Sequence, residues 1–386
     1  MSTFAVKVER IRKVEPHPNA DRLDLVQIND WWCVVQKGSF KENDLCVYFP
    51  VDSILSRQVE EAIFGPDSKV KLTKSRVRTI KLRGAISQGL AVGIEVLRGV
   101  RGNWGDGYQE FYEHDDLTAI LGIVKYEPPS NEIPMAMRGS QTSKTNPYFK
   151  KYTDLDNAKF HPGVFEPAEA VIITEKIHGT NFRAGYVPAV ANTFWKKVLQ
   201  FFHLLPKYEF VYGSRNVQLQ DRRDGGSTWI QKHTDVTENV YLEAVVKYRL
   251  RELLKPGEVL YGEVYGAGIQ KDYTYGCEAD ERKFVAFDMA VLDEEGNTKY
   301  LSSLHFMSVC KSRGIPTVPV LFTGGFDFEF VRSLTKGASV LAPSQKVREG
   351  VVIKPLVEKT HPLIGRKALK MINDDYLLNR DNTDFH

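Results

Sequence analysis

Residues 171–180 read VIITEKIHGT, an apolar β-branched run that ends at Lys176, with Gly179 three positions further on in the pattern K-x-x-G. A lysine at the edge of a buried strand can present a desolvated amine to an activated phosphorus, and the glycine lets backbone approach phosphate oxygens. By itself the pattern is weak, because many strands end in charged residues before a turn. Further groups follow: Ser214, Arg215 and Asn216 in a row, Glu263 in YGEVYG, Phe287 and Asp288 in KFVAFDM, Glu349, Val352 and Lys354 in REGVVIKP, and Lys370 in RKALKMIN. Each alone has an ordinary explanation, since Phe and Val in strands are core residues by default and a lone Glu or Lys near a strand end is solvated. Their order and spacing after Lys176 set them apart.

These groups need a scaffold, and 386 residues with 42% hydrophobic and 26% charged side chains are enough for two compact soluble domains. From Tyr152 on, strand-like runs (EAVIITEK, FRAGYV, YEFVYGS, VLYGEVYG, KFVAFDMAVLD, GVVIKP) mix with helix-like ones (VTENVYLEAVVKYRLRELL, SSLHFMSVCKSRG). That mixture predicts sheets with helices packed outside. Before it, AVKVERIRKV, LDLVQIN, WWCVVQKG, DLCVYFPV and IKLRGAISQGLAVGIEVL are short, partly alternating segments with the spacing of a Greek-key β-barrel. The stretch from Glu127 to Lys150 is rich in Pro, Ser, Thr and Asn and reads as a linker. The expected class is α+β, with a barrel domain over 1–126, a linker over 127–150 and a mixed α/β domain over 151–386. Within the last, Thr193–Leu205 puts Trp195, Val198, Leu199 and Phe202 on one helical face, predicting an insertion that packs on its own domain.

Composition excludes some classes. No apolar stretch approaches the ~20 residues that cross a bilayer, and the start MSTFAVKVER lacks a secretory signal's apolar core, so no membrane partner and a cytoplasmic location are expected. Cys33, Cys46, Cys277 and Cys310 show no C-x-x-C spacing and read as reduced packing residues. The net charge of +3 argues for no polyanion, yet residues 69–83, KVKLTKSRVRTIKLR, hold seven basic side chains and no acidic one. Lys74, Arg76 and Arg78 within it are candidate phosphate contacts.

HPNADRLDLVQI (His17 to Ile28) and RGAISQGL (Arg83 to Leu90) resemble the oligonucleotide-binding (OB) barrel of the tRNA-binding type. Trp31, Trp32, Tyr48 and Phe49 would then offer stacking surfaces for bases. Over about residues 150–375 the motif order resembles the covalent nucleotidyltransferase superfamily of ATP-dependent DNA and RNA ligases and mRNA capping enzymes, whose catalytic domain is ATP-grasp-like. The resemblance implies that Lys176 attacks the α-phosphorus of ATP to form lysyl-N-AMP. It implies a nucleotide-binding set of Glu175, Arg215, Asn216, Glu263, Phe287, Val352, Lys354 and Lys370, with Phe287 on one face of adenine, Val352 on the other, and Arg215 and Asn216 on ribose or phosphate. Glu263 and Glu349 would hold Mg2+ or Mn2+ through its waters. Nearby positive charge would favour the neutral amine.

Two positions depart from the family pattern. Many ligases have K-x-D-G, whereas here position 178 is His, which could accept from a metal-bound water only as neutral imidazole, losing that role below about pH 6.5. The usual K-x-K of the last motif has Ile372 at its second lysine, and Lys367 is a possible substitute. The barrel precedes Lys176 and only 16 residues follow Lys370, an order that resembles the family-5 RNA ligases. The expected activity is ATP-dependent sealing of 3′-OH/5′-phosphate nicks in an RNA or RNA/DNA duplex by a monomer. The alternatives are a capping guanylyltransferase and a non-catalytic tRNA- or RNA-binding OB protein.

Overall fold

The computed structural model describes residues 4–66, 72–97, 100, 110–126, 141–142, 145–190, 206–220, 239–293 and 296–378. The expected helix at Thr193–Leu205, Lys69 and Lys71 of the basic stretch, and most of the expected linker lie outside these residues. The chain forms two compact units, one of Met1–Pro128, Leu155–Glu166 and Leu369–His386, the other of Pro129–Asp154 and Pro167–Ala368.

The first unit is built on a five-stranded antiparallel sheet in the order Trp31–Gln36, Leu23–Ile28, Lys7–Pro16, Leu45–Phe49, Leu90–Gly93. Strand Lys7–Pro16 serves two neighbours. Its first residues pair with Leu45–Tyr48 and, past an irregularity between Ile11 and Lys13, its later ones pair with Asp24–Gln27. Such a bulge bends a strand enough to curl a sheet into a barrel. Period-2 alternation decides what goes inside: Trp31, Cys33 and Val35 are buried, while Trp32 and Val34 between them are not. Trp31, Tyr48 and Phe49 are therefore core residues, and Tyr48 also spends its hydroxyl on the Gln88 carbonyl at 2.9 Å. Only Trp32 of the four expected stacking aromatics keeps an accessible face.

Later chain completes this unit. Asp156–Asn157 runs parallel to Leu369–Lys370, Phe160 packs on Trp31 at 5.1 Å between ring centroids, and Lys159 Nζ stands 4.8 Å over the Trp31 ring. Asp374 collects Lys159 Nζ at 2.6 Å and Gln88 Nε2 at 2.9 Å.

The second unit has a seven-stranded antiparallel sheet in the order Gln141–Thr142, Gln218–Gln220, Tyr208–Ser214, Thr180–Pro188, Glu258–Gly266, Arg282–Leu292, Thr298–Tyr300. Helix Val240–Lys247 begins at Asn239, whose side chain accepts from the Tyr241 and Leu242 N–H groups, and its apolar face meets Phe182, Leu260 and Phe284 in the core. Each such fully buried side chain contributes about 1.5–3 kcal/mol. A second layer sets Ala170–Lys176 between Gly350–Pro355 and Val320–Gly325, antiparallel to both. Among the described residues no helix is long and apolar enough to cross a membrane.

Candidate active site

Strand register delivers the first constellation. Lys176 lies opposite Gly350, so Glu349, the residue just before that strand, arrives beside it with Oε1 2.6 Å from Lys176 Nζ. The lysine side chain keeps 14% of its surface accessible and the carboxylate 1%. A ligand can therefore reach the amine past its buried partner.

Glu263 enters from strand Glu258–Gly266, paired across from Asn181. Gly179 makes that approach possible, because a Cβ there would stand 2.3 Å from the Val264 carbonyl oxygen and 2.9 Å from Glu263 Cγ. The glycine expected to make room for phosphate makes room for its own neighbouring strand. Its N–H donates to the Glu263 carboxylate. Burial pushes Glu263 up to about 8, with Lys176 pulling against that shift and Glu349 adding to it.

His178 is buried, its backbone N–H donating to Tyr275 Oη at 2.7 Å and its ring edge-on to Tyr273 at 4.9 Å. Burial takes the imidazole down to about 4; Glu349 opposes this and Lys176 reinforces it. The side chain is thus neutral well below the pH of 6.5 expected for a solvated imidazole.

A second constellation surrounds Phe287. The register of Arg282–Leu292 on Glu258–Gly266 slips between Tyr261 and Gly262, leaving Phe287 as the extra, half-exposed residue between buried Ala286 and Asp288. Bulges re-aim side chains in this way. Tyr152 meets the Phe287 ring edge-on at 4.8 Å. Lys354 Nζ donates at 2.8 Å to both the Phe287 carbonyl and Asp288 Oδ2. Asp288 also accepts from Tyr152 Oη and pairs with Arg366, each at 2.8 Å. Burial pushes Asp288 up, but Lys354 and Arg366 outweigh it and hold the carboxyl below its ordinary range. Val352 is likewise half-exposed between buried neighbours.

Arg215 and Asn216 form a third group, with Arg215 paired to Asp154 and Asn216 Oδ1 accepting from Lys151 Nζ at 2.9 Å. Glu175, one residue before Lys176 and so on the other face of the strand, is buried; its Oε2 accepts from the Val340 N–H at 2.8 Å and its Oε1 has no hydrogen-bond partner among the described residues. Lys370 lies in the first unit, buried on strand Leu369–Ile372 opposite Asn157. In the basic stretch Lys74 is exposed and Arg78 half-buried. Arg76 is 3% exposed, paired with fully buried Asp52 and stacked on Tyr126, so its charge is committed within the unit and not offered to a phosphate.

Sequence reading missed Tyr152, Tyr275, Arg366 and Arg183, and assigned no role to Asp288. The signal for two of them was present. Asp288 in KFVAFDM and Arg183 in NFRAGYV are lone charges inside runs whose neighbours are buried, and a buried charge needs a partner.

An OB barrel followed by a mixed α/β domain with a strand-end lysine flanked by acids defines the class, and the comparisons name the family. The RNA ligase family profile matches residues 169–372, more than half of the chain, and an OB-fold domain profile matches residues 5–94. The chain belongs to the RNA ligase family. Among solved structures it is similar to a point mutant of the Naegleria gruberi RNA ligase with ATP and Mn, at 22% identity and a TM-score of 0.71, covering 98% of this chain and 100% of that one. A second mutant of that ligase, with AMP and Mn, matches at 22% identity and 0.71 over 98% and 100% of the two chains. The same ligase with PPi matches at 22% and 0.68 over 97% and 98%. At this identity the likeness is one of fold.

Proposed function

We propose that the chain is an ATP-dependent RNA ligase that seals 3′-OH/5′-phosphate nicks in RNA-containing duplexes through a lysyl-AMP intermediate and a 5′-adenylylated end. The observation that carries this reading is Lys176 at a strand edge, 2.6 Å from Glu349, with Glu263 brought in by the contact at Gly179. In the first step the Lys176 lone pair attacks the α-phosphorus of ATP; the P–N bond forms as the bond to the pyrophosphate oxygen breaks. The ammonium must first lose a proton, and Glu349 Oε1 is within reach to take it. In the second step a 5′-phosphate oxygen displaces the lysine from the AMP phosphorus. In the third, a 3′-hydroxyl attacks the 5′-phosphate, forming the phosphodiester and releasing AMP.

The chain's donors fit Mg2+ or Mn2+. Glu263 and Glu349 flank one lysine, and burial, with the Glu349 charge adding to it and Lys176 opposing, raises Glu263 to about 8, a rise that a cation beside the two carboxylates would reverse. Among the described residues no cluster of three or more His, Cys, Asp or Glu forms a direct cage, which suits an ion held through its own waters. Glu263, Glu349 and neutral His178 would hold it, and it would supply charge neutralisation at the phosphate oxygens. Phe287 and Val352 would cover the adenine faces, Arg215 and Asn216 would meet ribose or phosphate, and Glu175 and Lys354 complete the proposed nucleotide set. Lys74 and Arg78 of the OB unit would contact the RNA backbone.

Incubation with α-labelled ATP and metal, followed by a panel of nicked duplexes, tests the reading. The wild-type chain should carry an acid-labile AMP adduct and seal RNA-containing nicks. Lys176→Ala and Lys176→Arg should carry none, since a guanidinium does not deprotonate at accessible pH. A normal adduct on either variant, or labelling by GTP in place of ATP, would overturn it.

A further inference from the structure

We propose that Arg183 is a positioning residue that aims Arg215 and Asn216 at the nucleotide without touching it; the inference rests on the ligase reading above. Arg183 sits in the middle of strand Thr180–Pro188 with Gly213 opposite on one side and Tyr261 on the other, and it is fully buried. Its Nε donates to the Ser214 carbonyl at 2.9 Å, its Nη1 donates to the Phe149 carbonyl, and its guanidinium lies 4.0 Å over the Phe149 ring. Among the described residues no carboxylate forms an ion pair with it and its Nη2 has no hydrogen-bond partner.

A buried cation with no counter-ion is a costly way to satisfy two carbonyls, and a neutral residue would serve packing alone as well. What it grips explains its presence. Ser214 opens the turn that carries Arg215 and Asn216. Phe149 opens the segment that supplies their partners, Asp154 to Arg215 and Lys151 to Asn216. Tyr261, beside Arg183 in the sheet, takes the next carbonyl of that segment, with Oη 3.1 Å from Lys150 O. Two cross-strand neighbours thus hold successive carbonyls, and Arg183 alone also holds the turn. The Arg183 side chain spans both pieces, so their spacing is set by one rigid, planar guanidinium. Burial is the main cause that brings the Arg183 guanidinium down to about 10, with Tyr261 opposing the shift and the Arg215 charge adding to it, a repulsion that an anion at Arg215 would relieve.

The test uses the full chain. ATP is titrated against Lys176→Ala, in which no chemistry follows binding, with and without Arg183→Lys or Arg183→Gln. Each Arg183 variant should weaken ATP binding by about 10-fold, while in the Lys176 chain the adenylylation rate at saturating ATP stays within about 3-fold. Combined with Arg215→Ala, the losses should be strongly sub-additive, because both act through the same group. Circular dichroism and melting confirm that the variants fold; should Arg183→Gln not fold, Arg183→Lys keeps the charge and carries the same comparison. Unchanged ATP affinity in a folded variant, or losses that multiply with those of Arg215→Ala, would overturn the inference. An unmodified chain that takes no AMP label would strike the ligase reading instead, so the two failures are distinguishable.

Discussion

Glu263 shows how burying one carboxyl makes the fold's stability depend on pH. Burial raises its carboxyl from 4.5 to about 8 in the folded chain, so the folded state keeps a proton that the unfolded state releases. Its contribution is fully present below pH 4.5 and is lost as pH rises through about 8. Glu263→Gln cannot ionise and escapes that loss. In metal-free buffer its melting temperature should therefore gain on wild type as pH goes from 5 to 9, by the equivalent of a few kcal/mol at most, while lysyl adenylylation is lost. A melting difference independent of pH would show that Glu263 ionises as freely folded as unfolded.

At the level of elements, pairing register brings together groups that lie far apart in sequence. Lys176 and Glu349 are 173 positions apart and meet because strands Ala170–Lys176 and Gly350–Pro355 run antiparallel with Lys176 opposite Gly350. Gly179 performs the matching service for Glu263. Gly179→Ala should push backbone against the Val264 carbonyl and destabilise the chain by about 1–3 kcal/mol, with loss of metal-dependent adenylylation. Gly93→Ala is the control: nothing lies within 4 Å of its added Cβ, and its φ is not in the left-handed region. Equilibrium urea denaturation of both variants checks this, and equal stabilities would remove the packing argument at Gly179.

For the molecule as a whole, the first unit is assembled from three stretches of chain. Residues 1–128 alone lack Phe160 and Lys159, which cover Trp31, and Asp374, which receives Lys159 and Gln88. A fragment ending at 128 should melt below the full chain's OB unit and show red-shifted tryptophan emission from Trp31. Joining 155–166 and 369–378 to it through flexible linkers should restore both. A fragment 1–128 with native emission and native melting would mean that the later stretches add nothing to the barrel.

Side-chain type and spacing in a motif were enough to single out Lys176, Glu263 and Glu349, which the fold then places near one another; alternation and turn signals likewise marked barrel and mixed α/β regions, because strand period and side-chain polarity are local properties. Residues whose role depends on what packs against them were not. Arg76 reads as one basic side chain among seven, and only the fold buries it on Asp52. Trp31 and Tyr48 read in sequence as stacking platforms or as core, a choice made by which face of a curled strand turns inward. His178 carries an ordinary imidazole in sequence, and burial, reinforced by Lys176 against Glu349, makes it neutral down to about pH 4. Arg183 has no motif at all, since its partners are backbone carbonyls, which any sequence supplies and only tertiary structure can place.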